Sequence, residues 1–150
     1  MVRQLIQLLV GGCFLGVSLA LAANSGESDR SETTFLIGGK AVHFLNVGAR
    51  SLKPPMTLSK SCQKANGEFQ CQAFVALSRA SFRKITIHGG GADPGGLVCQ
   101  SLGGSFAMGL SPKGDEQLFC LFSDGSMVSS DSLRAHARGN DRAHEAAAGT

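Results

Sequence analysis

The spacing of apolar positions along the chain changes several times, and each change predicts an element. The first is an apolar run from Leu5 to Ala22, behind the lone positive charge of Arg3 and closed by the small-residue triplet Ala20-Leu21-Ala22. That order is the pattern of a secretory signal peptide over residues 1–22, cleaved after Ala22. A membrane anchor needs a comparable length, but glycines interrupt this run and an Ala-x-Ala site ends it. A lipoprotein signal built on Cys13 would leave only Leu5–Val10 as its apolar core, against roughly 7–15 residues for a signal core. Residues 23–33, ANSGESDRSET, hold no large apolar side chain to offset the entropy of ordering, so a flexible leader is expected.

Residues 34–91 read as a β-rich N-terminal half. Phe35-Leu36-Ile37 and Ala41–Val47 predict two strands joined through Gly38-Gly39. Lys53-Pro54-Pro55 breaks the pattern into a loop. Asn66-Gly67, midway between Cys62 and Cys71, predicts a hairpin with a type I′ turn. Phe74–Leu77 fits a strand or the start of a helix, and Lys84–His88 alternates as a strand that runs out in the glycines 89–91, which read as a hinge.

Residues 92–133 read as a helix with a three-stranded hairpin unit. Asp93 suits an N-cap, Pro94 the first helical position and Gly103 the C-terminal stop, predicting a short helix over 94–102. Phe106, Met108 and Leu110 alternate as a strand, and Ser111–Asp115 makes a loop. Leu118–Phe122 is apolar on both faces, as a covered central strand would be. Asp124-Gly125 then turns the chain into Met127-Val128 as a two-residue hairpin, structural in role. On that reading Asp124→Asn should leave stability almost unchanged. Residues 134–150 are poor in large apolar side chains and predict a mobile tail, although the alanines could sustain a frayed helix. The expected fold is α+β: a small disulfide-stapled domain with a short helix on an antiparallel sheet, preceded by the β-rich half. One internal echo stands out, Cys62-Gln63 followed by Gly67 and Phe69 against Cys99-Gln100 followed by Gly104 and Phe106.

Composition changes this picture mainly through compartment. Of fourteen Lys and Arg, Arg3 leaves with the signal, so thirteen face eleven Asp and Glu, and four of the five cysteines remain. The near-neutral balance and the lack of a basic block argue against nucleic acid. An even cysteine count in an exported chain implies disulfides, and four cysteines allow three pairings. The local solution, Cys62 with Cys71 and Cys99 with Cys120, is preferred because each pair brackets a plausible turn or ties the helix to a strand. Thiol catalysis would need a free, activated cysteine with a basic partner. The histidines His43, His88, His136 and His144 lack a close two-ligand spacing for metal, and Asp115-Glu116 reads as a solvated turn rather than an acid/base pair. No Gly-x-Ser-x-Gly elbow is present. No catalytic, metal or cofactor residue is therefore expected.

Asp93-Pro94, Cys99, Gly103-Gly104, Gly114 and Cys120-Leu121-Phe122-Ser123-Asp124-Gly125-Ser126 occur in the order found in a family of small exported bacterial domains. Over Asp93–Leu133 the chain resembles this domain-of-unknown-function 333 family, some of whose members carry a haemolysin label. Members commonly continue with a further cysteine and a tryptophan. Here Val128 stands in the cysteine's place and the chain has no tryptophan. The resemblance implies an exported location, periplasmic or extracellular, and a compact domain, and it implies no reaction.

Together these readings point to a non-enzymatic, exported binding module that meets an unknown protein or cell-envelope component, with no membrane span after signal cleavage. The alternative is a small secreted hydrolase or lytic effector whose site is assembled from residues distant in sequence.

Overall fold

A computed structural model describes residues 29–48, 54–83, 85–86, 91 and 93–149. The signal segment expected over 1–22 lies outside the described residues, as do most of the strand expected at Lys84–His88 and residues 89 and 90 of the glycine hinge; Ile85-Thr86 is not strand.

Six strands, β1 (Arg30–Ile37), β2 (Lys40–Val47), β3 (Met56–Ser59), β4 (Ser105–Leu110), β5 (Glu116–Leu121) and β6 (Met127–Ser129), close into an antiparallel barrel in the order β1-β2-β3-β6-β5-β4. Three helices, α1 (Gln72–Arg79), α2 (Pro94–Ser101) and α3 (Ser130–Ala148), join it, with one 3-10 turn at Lys60–Cys62. The expected helix on an open sheet is therefore corrected to a closed barrel. The two expected halves are strands of one sheet, because β1 pairs with β4 and β3 with β6.

Alternation along each strand sorts side chains into two cores. Phe35, Phe44 and Phe119 share the barrel interior with Ile37, Val42, Ala107 and Met127. Phe44 stacks on Phe119 with ring centroids 4.2 Å apart, and Phe35 meets Phe119 edge-on at 4.9 Å. Such ring pairs contribute about 0.5–1.5 kcal/mol each beyond the area they bury. Gly109 completes the filling, since a Cβ there would come within 2.6 Å of the Phe119 ring. The opposite face of β2, β3, β5 and β6 presents Leu45, Val47, Met56, Leu58, Cys120 and Val128 to the helices, which answer with Ala73, Ala76, Leu77, Val98, Cys99, Leu133 and Ala137.

Residues 30–33, expected in a flexible leader, are in β1. Their polar side chains are compatible with a barrel because the interior is polar at that end: Asn46 donates to Thr33 Oγ1 (2.8 Å) and Ser31 Oγ (3.3 Å) and accepts from Thr57 Oγ1 (2.8 Å). The expected mobile tail is α3. Ser129 caps it by accepting from the Ser132 amide, Asp131 lies in its first turn where the helix dipole favours an acid, and Leu133 and Ala137, four apart, bury one stripe.

The hairpin after β5 is likewise longer than expected. Phe122 N donates to Ser126 O and Gly125 N to Phe122 O, so three residues form the loop, and only its glycine needs the left-handed backbone, at φ 77°. The same bonding pattern recurs at Lys64–Glu68, in place of the expected type I′ turn, and at Ser111–Asp115. Disulfides join Cys62 to Cys71 and Cys99 to Cys120, with Cα atoms 5.1 and 5.6 Å apart.

The strand registers obey an internal two-fold. Exchanging β1 with β4, β2 with β5 and β3 with β6 leaves the cyclic order unchanged. It sets Leu36 on its own pairing partner Leu110, and Leu58 on its partner Val128. The same operation carries Phe44, which lies between Thr33 and Ser59, onto Phe119, which lies between Ala107 and Ser129. The Cys62/Cys99 echo in the sequence does not follow this relation, for it matches a 3-10 turn with the interior of α2.

Two glycine substitutions read out this packing in opposite directions. A Cβ at Gly95 would overlap the Ser130 backbone where α2 crosses the start of α3. Gly95→Ala should therefore cost about 1–3 kcal/mol as an overpacked contact. A Cβ at Gly139 stops 3.8 Å from Pro54, so Gly139→Ala should raise stability by about 0.5–1 kcal/mol through helix propensity. Chemical denaturation checks both, and a silent Gly139→Ala would mean that α3 is not folded this far.

Candidate functional site

Helix α1 is only eight residues long, too short to persist alone, and side chains from other elements hold both its ends. At its N-terminus the Gln72 amide donates to Asp124 Oδ2 (2.8 Å), the Ala73 amide to Ser126 Oγ (2.9 Å) and the Phe74 amide to Cys71 Sγ (3.3 Å). At its C-terminus Asn140 of α3 donates from Nδ2 to the carbonyls of Leu77 (3.0 Å) and Ala80 (2.9 Å). The next α3 residue, Asp141, accepts from Ser81 Oγ (2.6 Å) and the Phe82 amide (2.8 Å). Asp124-Gly125 is thus more than a turn: its carboxylate also bonds the Ser126 amide at 2.9 Å and caps a helix from fifty-two residues away.

Helix α1, fixed in this way, presents Phe74 over Phe69, the rings stacked with centroids 5.5 Å apart and tilted by 29°. The Arg30 guanidinium lies 5.4 Å from the Phe69 ring centre. With Val47, Pro54, Met56 and His136 these residues line a cleft of about 420 Å³, within the range of small-ligand sites. Its walls are almost wholly apolar, apart from the Arg30 and His136 heads. Broader hollows lie elsewhere, one of about 640 Å³ between β1 and the Ser111–Asp115 loop, lined by solvated Glu32, Lys113, Asp115 and Glu116, and one of about 490 Å³ between α1 and Phe122.

His136 gives the cleft its chemistry. Its ring donates a hydrogen bond to the Pro54 carbonyl, while Nε2 is buried without a partner. Burial pushes the imidazole pKa below its ordinary value and outweighs the Pro54 bond, which pulls it up.

The other histidines are placed differently. His43 Nδ1 lies 3.1 Å from both Thr34 Oγ1 and Glu32 Oε1, and Lys60 Nζ completes a surface network 2.8 Å from Glu32 Oε2. A nucleophile–base–acid relay needs the hydroxyl and the carboxylate on opposite ring nitrogens, and here both meet Nδ1. His144 is in α3, and His88 is outside the described residues. Asp115 accepts from Ser111 Oγ across its loop, as a turn residue. Among the described residues no three His, Cys, Asp or Glu stand together as a metal site, and no helix is long and apolar enough to cross a membrane.

Compared with protein-family models, curated proteins and solved structures, the chain matches none. The cleft is thus defined by its own geometry.

Of the residues singled out in the sequence, the four cysteines anchor the scaffold, Asp124 caps α1 and Gly125 turns the loop that carries it, while none of the six lines the cleft. The cleft residues Arg30, Phe69, Phe74 and His136 carry no mutual spacing. The one readable signal was the start of α3, where Ser129, Asp131 and the Leu133/Ala137 spacing predict a capped amphipathic helix bearing His136.

Two measurements test this assembly. Burial pushes the Asp124 carboxyl up, but the Gln72 amide and the Ser126 hydroxyl and amide outweigh it and hold it below 3.8. Asp124→Ala should cost about 0.5–2 kcal/mol as a lost helix cap. Asp124→Asn, which keeps one acceptor and turns an amide NH₂ toward the other bond, should show a smaller but measurable loss. This replaces the silence expected from a turn alone, and urea unfolding at neutral pH decides.

His136 gives a pH dependence of definite sign. Above about pH 6.5 folded and unfolded chains are both neutral at this group. Below it the unfolded chain takes up a proton that the folded chain resists, so stability falls until the folded imidazole also protonates. Asp124 acts lower, its contribution being complete above its unfolded pKa and lost as pH falls through the depressed folded value. Unfolding free energies from pH 7 to pH 5 should therefore decline in the native chain, and less steeply in His136→Phe.

Proposed function

We propose that the protein is an exported, non-enzymatic binding module, and that the cleft between α1, α3 and the β2–β3 face takes its ligand. The observation that carries this reading is the apolar lining of the cleft, where Val47, Pro54 and Met56 meet the stacked rings of Phe69 and Phe74 around a volume that suits a small apolar group. Two disulfides fit an oxidising compartment, and the signal-like residues 1–22 supply the export route, to the periplasm or the medium. The likeness of Asp93–Leu133 to small exported bacterial domains supports the same location. The partner on this reading is a protein or cell-envelope component that inserts an apolar group. A hydrolase is less favoured because the histidine beside a hydroxyl and a carboxylate, His43, meets both through one nitrogen on an open surface.

The chain has neither Trp nor Tyr, so an aromatic fluorophore can be followed without interference. N-phenyl-naphthylamine, an apolar probe, should brighten saturably at one site on the oxidised protein. Phe74→Ala should weaken it roughly tenfold, the scale of losing a buried aromatic contact. Val75→Ala, on the neighbouring and more exposed face of α1, should leave it unchanged. Unsaturable binding, or binding indifferent to Phe74, would overturn the assignment of the cleft.

A further inference from the structure

We infer that the other flank of α1 is a second binding site, independent of the cleft: a trough that takes an extended peptide in which apolar side chains are followed by acidic ones. Gln72, Val75, Ala76 and Arg79 follow the i, i+3, i+4, i+7 spacing that sets residues on one stripe of a helix, and they form one bank of the hollow of about 490 Å³. Leu102 and Gly103 at the end of α2, with Phe122 and Ser123 after β5, form the opposite bank. A further hollow of about 530 Å³ continues past the end of α1 to Arg83. Arg79 and Leu102 line both, so the two make one trough.

Apolar surface and charge are separated along it. At the first end Val75 is 51 % exposed, beside Leu102 and above the buried Ala76 and Phe122. Arg79 and Arg83 occupy the middle and the far end. No Asp or Glu lines either hollow, and among the described residues neither arginine makes an ion pair. The acids of neighbouring elements are engaged elsewhere, Asp124 by the Gln72 and Ser126 amides and Asp141 by Ser81 Oγ and the Phe82 amide. The hydroxyls are committed too: Ser81 donates to Asp141, Ser101 to the Val98 carbonyl and Ser123 to Gln72 Oε1. What the trough offers is therefore guanidinium and side-chain amide N–H groups, which select an anion, and an arginine fork suits a carboxylate. An exposed ion pair contributes little alone, so the apolar contact at Val75 has to add to it in the same ligand. An extended peptide meets that order, since it advances about 3.3 Å per residue and can carry apolar and acidic side chains a few residues apart. An acidic polysaccharide carries the charge without a branched apolar group.

The test is fluorescence polarisation of a fluorescein-labelled peptide, two leucines followed by two glutamates between glycines, against the same peptide with glutamines for glutamates. On the oxidised protein the acidic peptide should bind roughly tenfold tighter, the scale of one hydrogen bond to a charged group, and that advantage should shrink as salt is raised. This comparison changes only the ligand and so does not depend on a variant folding. Arg79→Gln, with its unfolding midpoint measured alongside, should remove most of the advantage. Arg83→Gln should remove less, because Asp141 already offsets part of its charge. Val75→Glu, which sets an acid at an exposed helix position in the trough, should weaken the acidic peptide more than the neutral one. Equal binding of the two peptides by the native protein, or an advantage undiminished in Arg79→Gln, would overturn the inference. Displacement of the peptide by N-phenyl-naphthylamine would place it in the cleft and overturn the second site. Polygalacturonate held more tightly than the peptide, with the same dependence on Arg79, would give the trough to a glycan and overturn the peptide.

Discussion

Two seams close this barrel, and both are short. Strand β1 meets β4 through Leu36–Leu110 and Ile37–Gly109, and β3 meets β6 through Leu58–Val128. So few ladder pairs cannot hold a cylinder by backbone bonding alone, which makes closure a packing constraint. Phe35 and Phe44 from one half and Phe119 from the other fill the interior, and Gly109 has no side chain because Phe119 occupies its space. Outside, the β3–β6 seam is buried under the helices while Leu36, Met108 and Leu110 at the β1–β4 seam remain exposed. Everything on the helical face, including the cleft, depends on the Phe44–Phe119 contact drawing the two halves together.

The next dependence is α1. It bridges the halves in sequence, and its ends are tied to residues that follow it by about fifty to sixty positions, Asp124 and Ser126 at the front and Asn140 and Asp141 at the back. Such long-range ties cost loop closure before they return any stability, so α1 is expected to order only after the β5–β6 hairpin and α3 are in place. The Cys62–Cys71 bridge shortens that search by fixing the start of the helix to the end of β3. Phe74, and with it one wall of the cleft, is therefore a late product of folding.

Local features were legible in the chain and long-range ones were not. Asp93 accepting from the Gly96 amide, with Pro94 behind it, is a cap that two consecutive residues announce. The glycine-ended loops are announced nearly as well, with their length misjudged because Asn-Gly and Asp-Gly also suit shorter turns. An alternating strand, by contrast, reads the same in an open sheet and in a barrel, since only the partner across the seam distinguishes them. The polar start of β1 and the alanines of α3 misled for one reason: propensity and hydropathy describe a residue alone, whereas Thr33 is held by Asn46 and Ala137 by the closeness of its neighbours. His136 was inconspicuous as one histidine among alanines, and its significance lies in Pro54, which no spacing connects to it.

The internal two-fold accounts for where the cleft lies. Under that relation Val47 corresponds to Phe122 and Met56 to Ser126, yet the two sets now do different work around the same helix. In the second half Phe122 is buried and Ser126 bonds the Ala73 amide, so this corner grips α1. In the first half Val47 and Met56 make no such bond and instead line the hollow on the Phe74 side. Ser126 at one corner caps the helix, and the apolar Val47 and Met56 at the other line the hollow beside Phe74, with His136 from α3 and Arg30 from β1 at its margin; a second hollow lies on the other side of α1, against Phe122.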